Sequence, residues 1–178
     1  MKIIIYGSQY GTTKKYALEL SKKTDIQAVS YSNIKDVNSY NTIIYIGALY
    51  AGGVLGMKKT LGKIKDSSKK KIIIATVGLA DPTDENNTDA IKEGIKKQLR
   101  PDIINQAHIY FLRGGIDYSN LNLKHKTMMA LLYKKAKRLK EDEKTPEVQA
   151  MIETYGKKVD FIDFDTLNPL IDEIRKTP

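Results

Sequence analysis

The most constraining feature of this sequence is a short apolar run that keeps returning. Isoleucine- and valine-rich stretches recur at residues 3–6, 26–31, 42–46, 71–77 and 107–112, and several are apolar at successive positions, not at every second one. A strand that is apolar on both faces needs cover on both faces, which is the condition of a parallel sheet sandwiched between helices. The intervening segments supply the helices. Tyr16, Ala17, Leu18 and Leu20 mark the first; Leu61 and Ile64 mark the third; Ile91, Gly94, Ile95 and Leu99 mark the fourth. Residues 33–40 are weakly periodic and support one or two helical turns. Arg100-Pro101 closes the fourth helix, because the residue before proline resists the helical conformation. The alternation reads β-α-β-α-β-α-β-α-β, an open, doubly wound α/β sheet of five parallel strands.

The regularity breaks after the fifth strand. The stretch RGGIDYSNLNLKHK is rich in turn residues, and a basic helical segment and the charged residues 141–144 follow it. A further helix is expected from Thr145-Pro146, with Thr145 as cap and Pro146 in the first turn. A strand-like run returns at 159–164, and a last helix covers 167–176. The 178 residues fit a single domain spanning 1–178. About residues 114–158 are inserted near strand five, and insertions of that kind in a compact domain are usually functional.

Composition narrows the function classes. No apolar stretch reaches the length of a membrane span, and the N-terminus offers one Lys and a four-residue apolar run, shorter than a signal-peptide core. Without cysteine there is no disulfide, thiolate metal site or catalytic thiol. These readings point to the cytoplasm, with the inner face of a membrane as the alternative. The net charge of +9 comes from a chain in which 26 of 30 basic residues are Lys, a bias that genomic base usage alone can produce. Its distribution says more. Residues 121–140 hold seven Lys or Arg and no acid, whereas the rest of the chain carries 23 bases against 21 acids.

That basic segment supports two readings. In one, Met128, Met129, Leu132, Tyr133, Ala136 and Leu139 pack on the domain while Lys134, Lys137 and Arg138 face water, with Lys135 snorkelling from the apolar arc. In the other, the stretch from Lys124 to Lys140 is a patch attracted to anionic lipid. Neither an aromatic-basic platform nor a reading helix speaks for nucleic acid. His108 and His125 have no His or carboxylate at ligand spacing, so no metal site is expected, and no side-chain catalytic triad can be assembled.

The chemistry-bearing motif is GSQYGTT, residues 7–13, directly after the first strand. It holds glycine and hydroxyls, but no acid or base. At a strand-to-helix turn, unpaired backbone N–H groups and the positive end of the helix dipole favour a bound anion. Ser8, Tyr10, Thr12 and Thr13 add hydroxyls, and Gly7 and Gly11 allow a close curl around phosphate oxygens. The plainer alternative has Thr12 or Thr13 capping the helix. A P-loop is excluded because Thr12, not Lys, follows Gly11, and the Gly-x-Gly-x-x-Gly spacing is absent because Gly7 and Gly11 are four apart.

Ser8–Thr13, SQYGTT, resembles the phosphate loop of the flavodoxins, Thr/Ser-x-Thr/Tyr-Gly-x-Thr, which binds the phosphate of FMN. IGALYAGGVLGMKKTL, residues 46–61, is similar to that family's loop after the third strand, which passes along the flavin ring. TVGLADPTDENN, residues 76–87, falls where the loop after the fourth strand covers the ring's other side. The Gly47-Ala48 opening, the Gly- and Tyr-containing turn after strand five and the basic, Met- and Leu-rich helix resemble the long flavodoxin-like group that contains the menaquinone-dependent protoporphyrinogen oxidases.

The resemblance implies a strand order of 2-1-3-4-5 and FMN as cofactor, with the flavin itself as the reactive group and no catalytic side chain. It assigns the phosphate to Ser8, Gln9, Tyr10, Gly11, Thr12 and Thr13. Ala48, Leu49, Tyr50, Ala51, Gly52 and Gly53 would border the ring, with Tyr50 the aromatic neighbour. Thr76, Val77, Gly78, Leu79 and Asp81 would meet its polar edge, with Gly115 and Tyr118 after strand five. Asp81 is equally readable as a helix cap before Pro82, and Tyr50, Gly52 and Gly53 as ordinary loop residues. The implied activity is electron or hydride transfer between a small-molecule substrate and a quinone. The alternative is a carrier exchanging electrons with protein partners.

Overall fold

Ile3, Ile4 and Ile5 are wholly buried along β1 (Lys2–Gly7), as a strand covered on both faces requires. The computed structural model describes residues 1–50 and 52–176. In it, β1 pairs in parallel with β2 (Ala28–Ser30) on one side and β3 (Thr42–Tyr50) on the other. A two-residue strand, β4 (Gly53–Val54), folds back antiparallel on the end of β3. Beyond β3 lie β5 (Lys71–Gly78) and β6 (Ala107–Arg113), again parallel. The order β2-β1-β3-β5-β6 is that of the expected five-stranded sheet, with β4 as an extra strand.

Side chains alternate along each strand between two packed layers. Ile4, Ile44, Ile46 and Ile73 meet Tyr16, Ala17 and Leu20 of α1 (Thr12–Thr24). Ile3, Ile5, Ile43, Tyr45 and Ile72 meet the opposite helices, α2 (Met57–Leu61), α3 (Glu85–Lys96) and α4 (Pro101–Ile104). After β6 the chain leaves the sheet. It forms β7 (Gly115–Asp117), α5 (Leu123–Lys137), α6 (Pro146–Thr154) and β8 (Lys158–Asp160), with β7 and β8 paired antiparallel. It then returns as α7 (Asn168–Arg175), whose Leu170, Ile171 and Ile174 join α1 on the first face. Thr145 caps α6 by accepting the Val148 N–H, as its sequence suggests. Among the described residues no helix is long and apolar enough to cross a membrane.

Several boundaries differ from expectation. The run at 26–31 forms only the half-exposed edge strand β2, which pairs with β1 alone. Residues 33–40 give a single 3-10 turn at Val37–Ser39, capped by Asp36. The third helix is only Met57–Leu61. Arg100-Pro101 does not close the preceding helix, which already ends at Lys96; it starts α4, since proline is well placed at a first helical position. Of the 159–164 run only Val159 and Asp160 are in a strand, the end of β8, which pairs outside the main sheet.

At the amino end of the sheet, the part-buried Glu173 of α7 gathers two lysines and a histidine. Lys71 Nζ lies 2.5 Å away, Lys176 Nζ 3.5 Å and His108 Nδ1 3.6 Å. The Lys71 hydrogen bond leads in holding the Glu173 carboxyl below its ordinary pKa. A depressed carboxylate contributes stability that is present above its unfolded pKa and lost as pH falls through the folded value. Glu173→Gln is therefore expected to lower the thermal midpoint at neutral pH. The gap from wild type should close below about pH 4 in a melting series.

Candidate functional site

The chain runs from β1 out to β2, then crosses to β3 on the other side. Ligands of doubly wound sheets bind beyond the carboxyl ends of the strands, where the order reverses in this way. The register puts Gly7 of β1 beside Gly47 of β3, and Gly47 beside Thr76 of β5. Gly7 is required here: a Cβ would lie 2.0 Å from the Leu55 carbonyl oxygen, so no side chain fits under the segment leading into α2. Beyond these strand ends lies a largely apolar cavity of about 440 Å3, a size typical of small-molecule sites.

One wall is the turn before α1. Gly11 caps the helix in the left-handed region, at φ 93°, and no side chain accepts a hydrogen bond from the helix N–H groups. The alternative in which Thr12 or Thr13 caps α1 is thus not what forms. Thr12 is the first helical residue, and its hydroxyl donates to the Gly115 carbonyl at 3.0 Å. Ser8 Oγ accepts the Gly11 N–H at 3.2 Å. The first bond of the helix runs from Lys15 N–H to Gly11 C=O. The N–H groups of Thr12, Thr13 and Lys14 find no acceptor among the described residues. The first turn of α1 contains no acidic residue, and the space where a Gly11 Cβ would sit is open to 4 Å. These are the properties of an anion-binding helix N-terminus.

The structure brings Tyr10, Thr12, Thr13, Ala48, Leu49, Tyr50, Gly52, Gly53, Val77, Gly78, Leu79 and Gly115 to the cavity wall. Burial pushes the Tyr10 phenol up to about 12, and its hydroxyl is buried without a partner. Ser8, Gln9 and Gly11 shape the turn without lining the cavity. The other three expected residues are corrections. Thr76 is buried within β5, its hydroxyl unpartnered, because it sits two residues before the strand end. Asp81 turns its carboxylate onto its own loop, accepting from the N–H and hydroxyl of Thr83 at 2.9 and 2.8 Å, which hold it below its ordinary pKa. It does not cap a helix either: Asp84 caps α3, accepting the Asn86 N–H. Tyr118 is buried in the insertion with its ring 5.2 Å from that of Tyr155. Ala51 lies outside the described residues.

The remaining wall was not assigned from sequence. α5 contributes Met129, Leu132, Lys135 and Ala136, and α6 contributes Glu147, Val148 and Met151. The insertion grips every loop around the site. Gln9 Nε2 lies 2.8 Å from His125 Nε2, and Tyr50 donates its hydroxyl to Met128 Sδ at 3.0 Å. The Glu147 carboxylate accepts the Leu79 N–H at 2.9 and 3.0 Å and the Ala80 N–H at 3.0 Å. The donors expected to meet a ligand's polar edge in the 76–81 loop are therefore partly taken by the protein itself. Burial raises the Glu147 carboxyl above its ordinary pKa, outweighing these two N–H groups and nearby Arg113. Arg113 in turn donates to the Leu79 carbonyl at 3.0 Å and stacks 3.9 Å from the centre of the Phe161 ring. A lone glutamate in the first turn of α6 gives no sequence cue to such a contact; its partners lie 67 and 68 residues away. Among the described residues no cluster of His, Cys, Asp or Glu is suited to a metal.

A parallel sheet with reversed strand order, an unpaired helix N-terminus and an apolar cavity beside it define a doubly wound α/β ligand-binding protein. This chain belongs to the flavodoxin domain family, whose model matches residues 3–143. Solved structures similar to it include a variant of Fusobacterium nucleatum flavodoxin bound to flavin mononucleotide, at 19% identity over 68% of this chain and 72% of that one, with a TM-score of 0.41. A variant of Pseudomonas aeruginosa flavodoxin is 16% identical over 74% of this chain and 93% of its own, also at a TM-score of 0.41. No curated protein sequence matches the chain significantly.

Proposed function

We propose that the cavity takes FMN, with its phosphate on the N-terminus of α1, and that the protein is an FMN-dependent oxidoreductase of the protoporphyrinogen–quinone type its sequence resembles. The observation that carries this reading is the turn at Ser8–Thr13: three unpaired N–H groups and open space at Gly11, leading into an apolar cavity of about 440 Å3. The donor set suits a phosphate held without a cation, and the apolar walls suit a planar ring. Family membership and the FMN bound to the F. nucleatum relative support it. When bound, the flavin supplies the electron or hydride chemistry.

The residues of this chain bind, orient and exclude water. Ser8–Thr13 anchor one end of the ligand. Tyr10 and Tyr50 border the apolar space, while Met129, Leu132 and Met151 keep solvent from it. With the Leu79 and Ala80 N–H groups held by Glu147, polar recognition falls chiefly on the phosphate turn.

The insertion favours an enzyme over the alternative, a carrier of electrons between protein partners. A carrier must present its cofactor's edge to a partner protein, and here α5 and α6 wall the cavity. The FMN-loaded protein, photoreduced anaerobically with EDTA as electron donor, is expected to be reoxidised by a soluble menaquinone analogue with no second protein present. Reoxidation only on adding a redox partner protein would favour the carrier.

A further inference from the structure

We infer that the outer face of α5 is a docking surface for anionic lipid. Leu123, Thr127, Leu131, Lys134 and Arg138 follow one another at i, i+4, i+8, i+11 and i+15, so they share one side of the helix, and all are exposed. Leu123 and Leu131 are 81% and 64% exposed, about 12 Å apart along the axis at the rise of an α-helix. Lys124 and Lys126 flank this side, also exposed.

The cations on this face are unneutralised. Residues 121–140 contain no acid, and Lys124, Lys126, Lys134 and Arg138 have no carboxylate partner among the described residues. The lysines of α3 contrast with them: Lys92 pairs with Asp89 and Lys96 with Glu93.

Charge and shape together select the occupant. A second copy of this face would be repelled by its like charge. Nucleic acid would engage the cations but leave two leucines in water. An anionic bilayer satisfies both, because headgroups neutralise the bases while exposed leucines enter the interface. The opposite side of α5, Met129, Leu132 and Ala136, lines the cavity, so docking would set the cavity about one helix diameter, roughly 10 Å, from the lipid surface. This inference does not depend on FMN occupying the cavity.

The test is co-sedimentation of the full chain with vesicles, with and without added FMN. The protein should bind mixed phosphatidylcholine–phosphatidylglycerol vesicles, release them as salt rises, and bind pure phosphatidylcholine at least about ten-fold more weakly. Neutralising Lys126, Lys134 and Arg138 to Gln together should weaken binding about a hundred-fold, at roughly five-fold per charge. Leu123→Ser with Leu131→Ser should weaken it several-fold while leaving the salt dependence intact. No binding of the unaltered protein to the mixed vesicles would overturn the inference. So would heparin binding as tight as vesicle binding together with indifference to the leucine changes, which would mark a general polyanion surface.

Discussion

Thr12→Glu is expected to weaken FMN binding about a thousand-fold while leaving stability within about 1 kcal/mol of wild type. The substitution puts a carboxylate at the first helical position of α1, among the unpaired N–H groups of Thr12, Thr13 and Lys14. Two unit charges about 4 Å apart near a protein surface repel by about 4 kcal/mol, or about three decades in affinity. The same carboxylate is favourable to the helix itself, worth about 0.3–1 kcal/mol against the dipole, although the bond from the Thr12 hydroxyl to Gly115 is lost. Thr12→Ser keeps that hydroxyl and should bind FMN nearly as wild type does. Titration by flavin fluorescence quenching, alongside thermal melts, reads both quantities. Unchanged affinity in the Glu variant would remove the phosphate from this turn.

Glu147→Ala should cost about 3 kcal/mol of stability at neutral pH. It leaves two N–H groups of the loop after β5 without their acceptor, and hydrogen bonds to a charged group are each worth about 1.5–3 kcal/mol. Glu147→Gln separates the charge from the shape. Because burial raises the folded-state pKa of Glu147, the stability tied to its protonated form is fully present below the ordinary Glu pKa. It is lost as pH rises through the raised value. The Gln variant, a neutral mimic of the protonated acid, lacks that component. Urea unfolding from about pH 4 to pH 8 should therefore show wild type losing ground to the Gln variant as pH rises. Parallel pH profiles would mean that Glu147 does not carry the burial penalty described.

The contrast between these two residues reflects what a sequence can carry. The sheet was legible because doubly apolar runs such as Ile3–Ile5 leave few alternatives to burial between helices. The unpaired turn before α1 was legible because glycine and hydroxyls cluster immediately after a strand. Glu147 was not, since nothing local distinguishes it from the exposed acids Glu141 and Glu143; its role is created by packing α6 on a distant loop. The hairpin through β4 was missed because two residues make no periodic signal. Asp81 and Tyr118 were placed at the site by family likeness, and local bonding took them elsewhere: Asp81 into a turn with Thr83, Tyr118 into the insertion's own aromatic cluster. The apolar stripe of α5 was recognised, but it was assigned to packing on the domain, whereas it forms a wall of the cavity.

The central claim is that this cavity binds FMN, and the most direct measurement is the visible absorbance of the purified protein followed by FMN titration of the stripped protein. The account predicts flavin bands on purification and saturable, stoichiometric rebinding. A colourless protein that leaves the fluorescence of added FMN unchanged would contradict it.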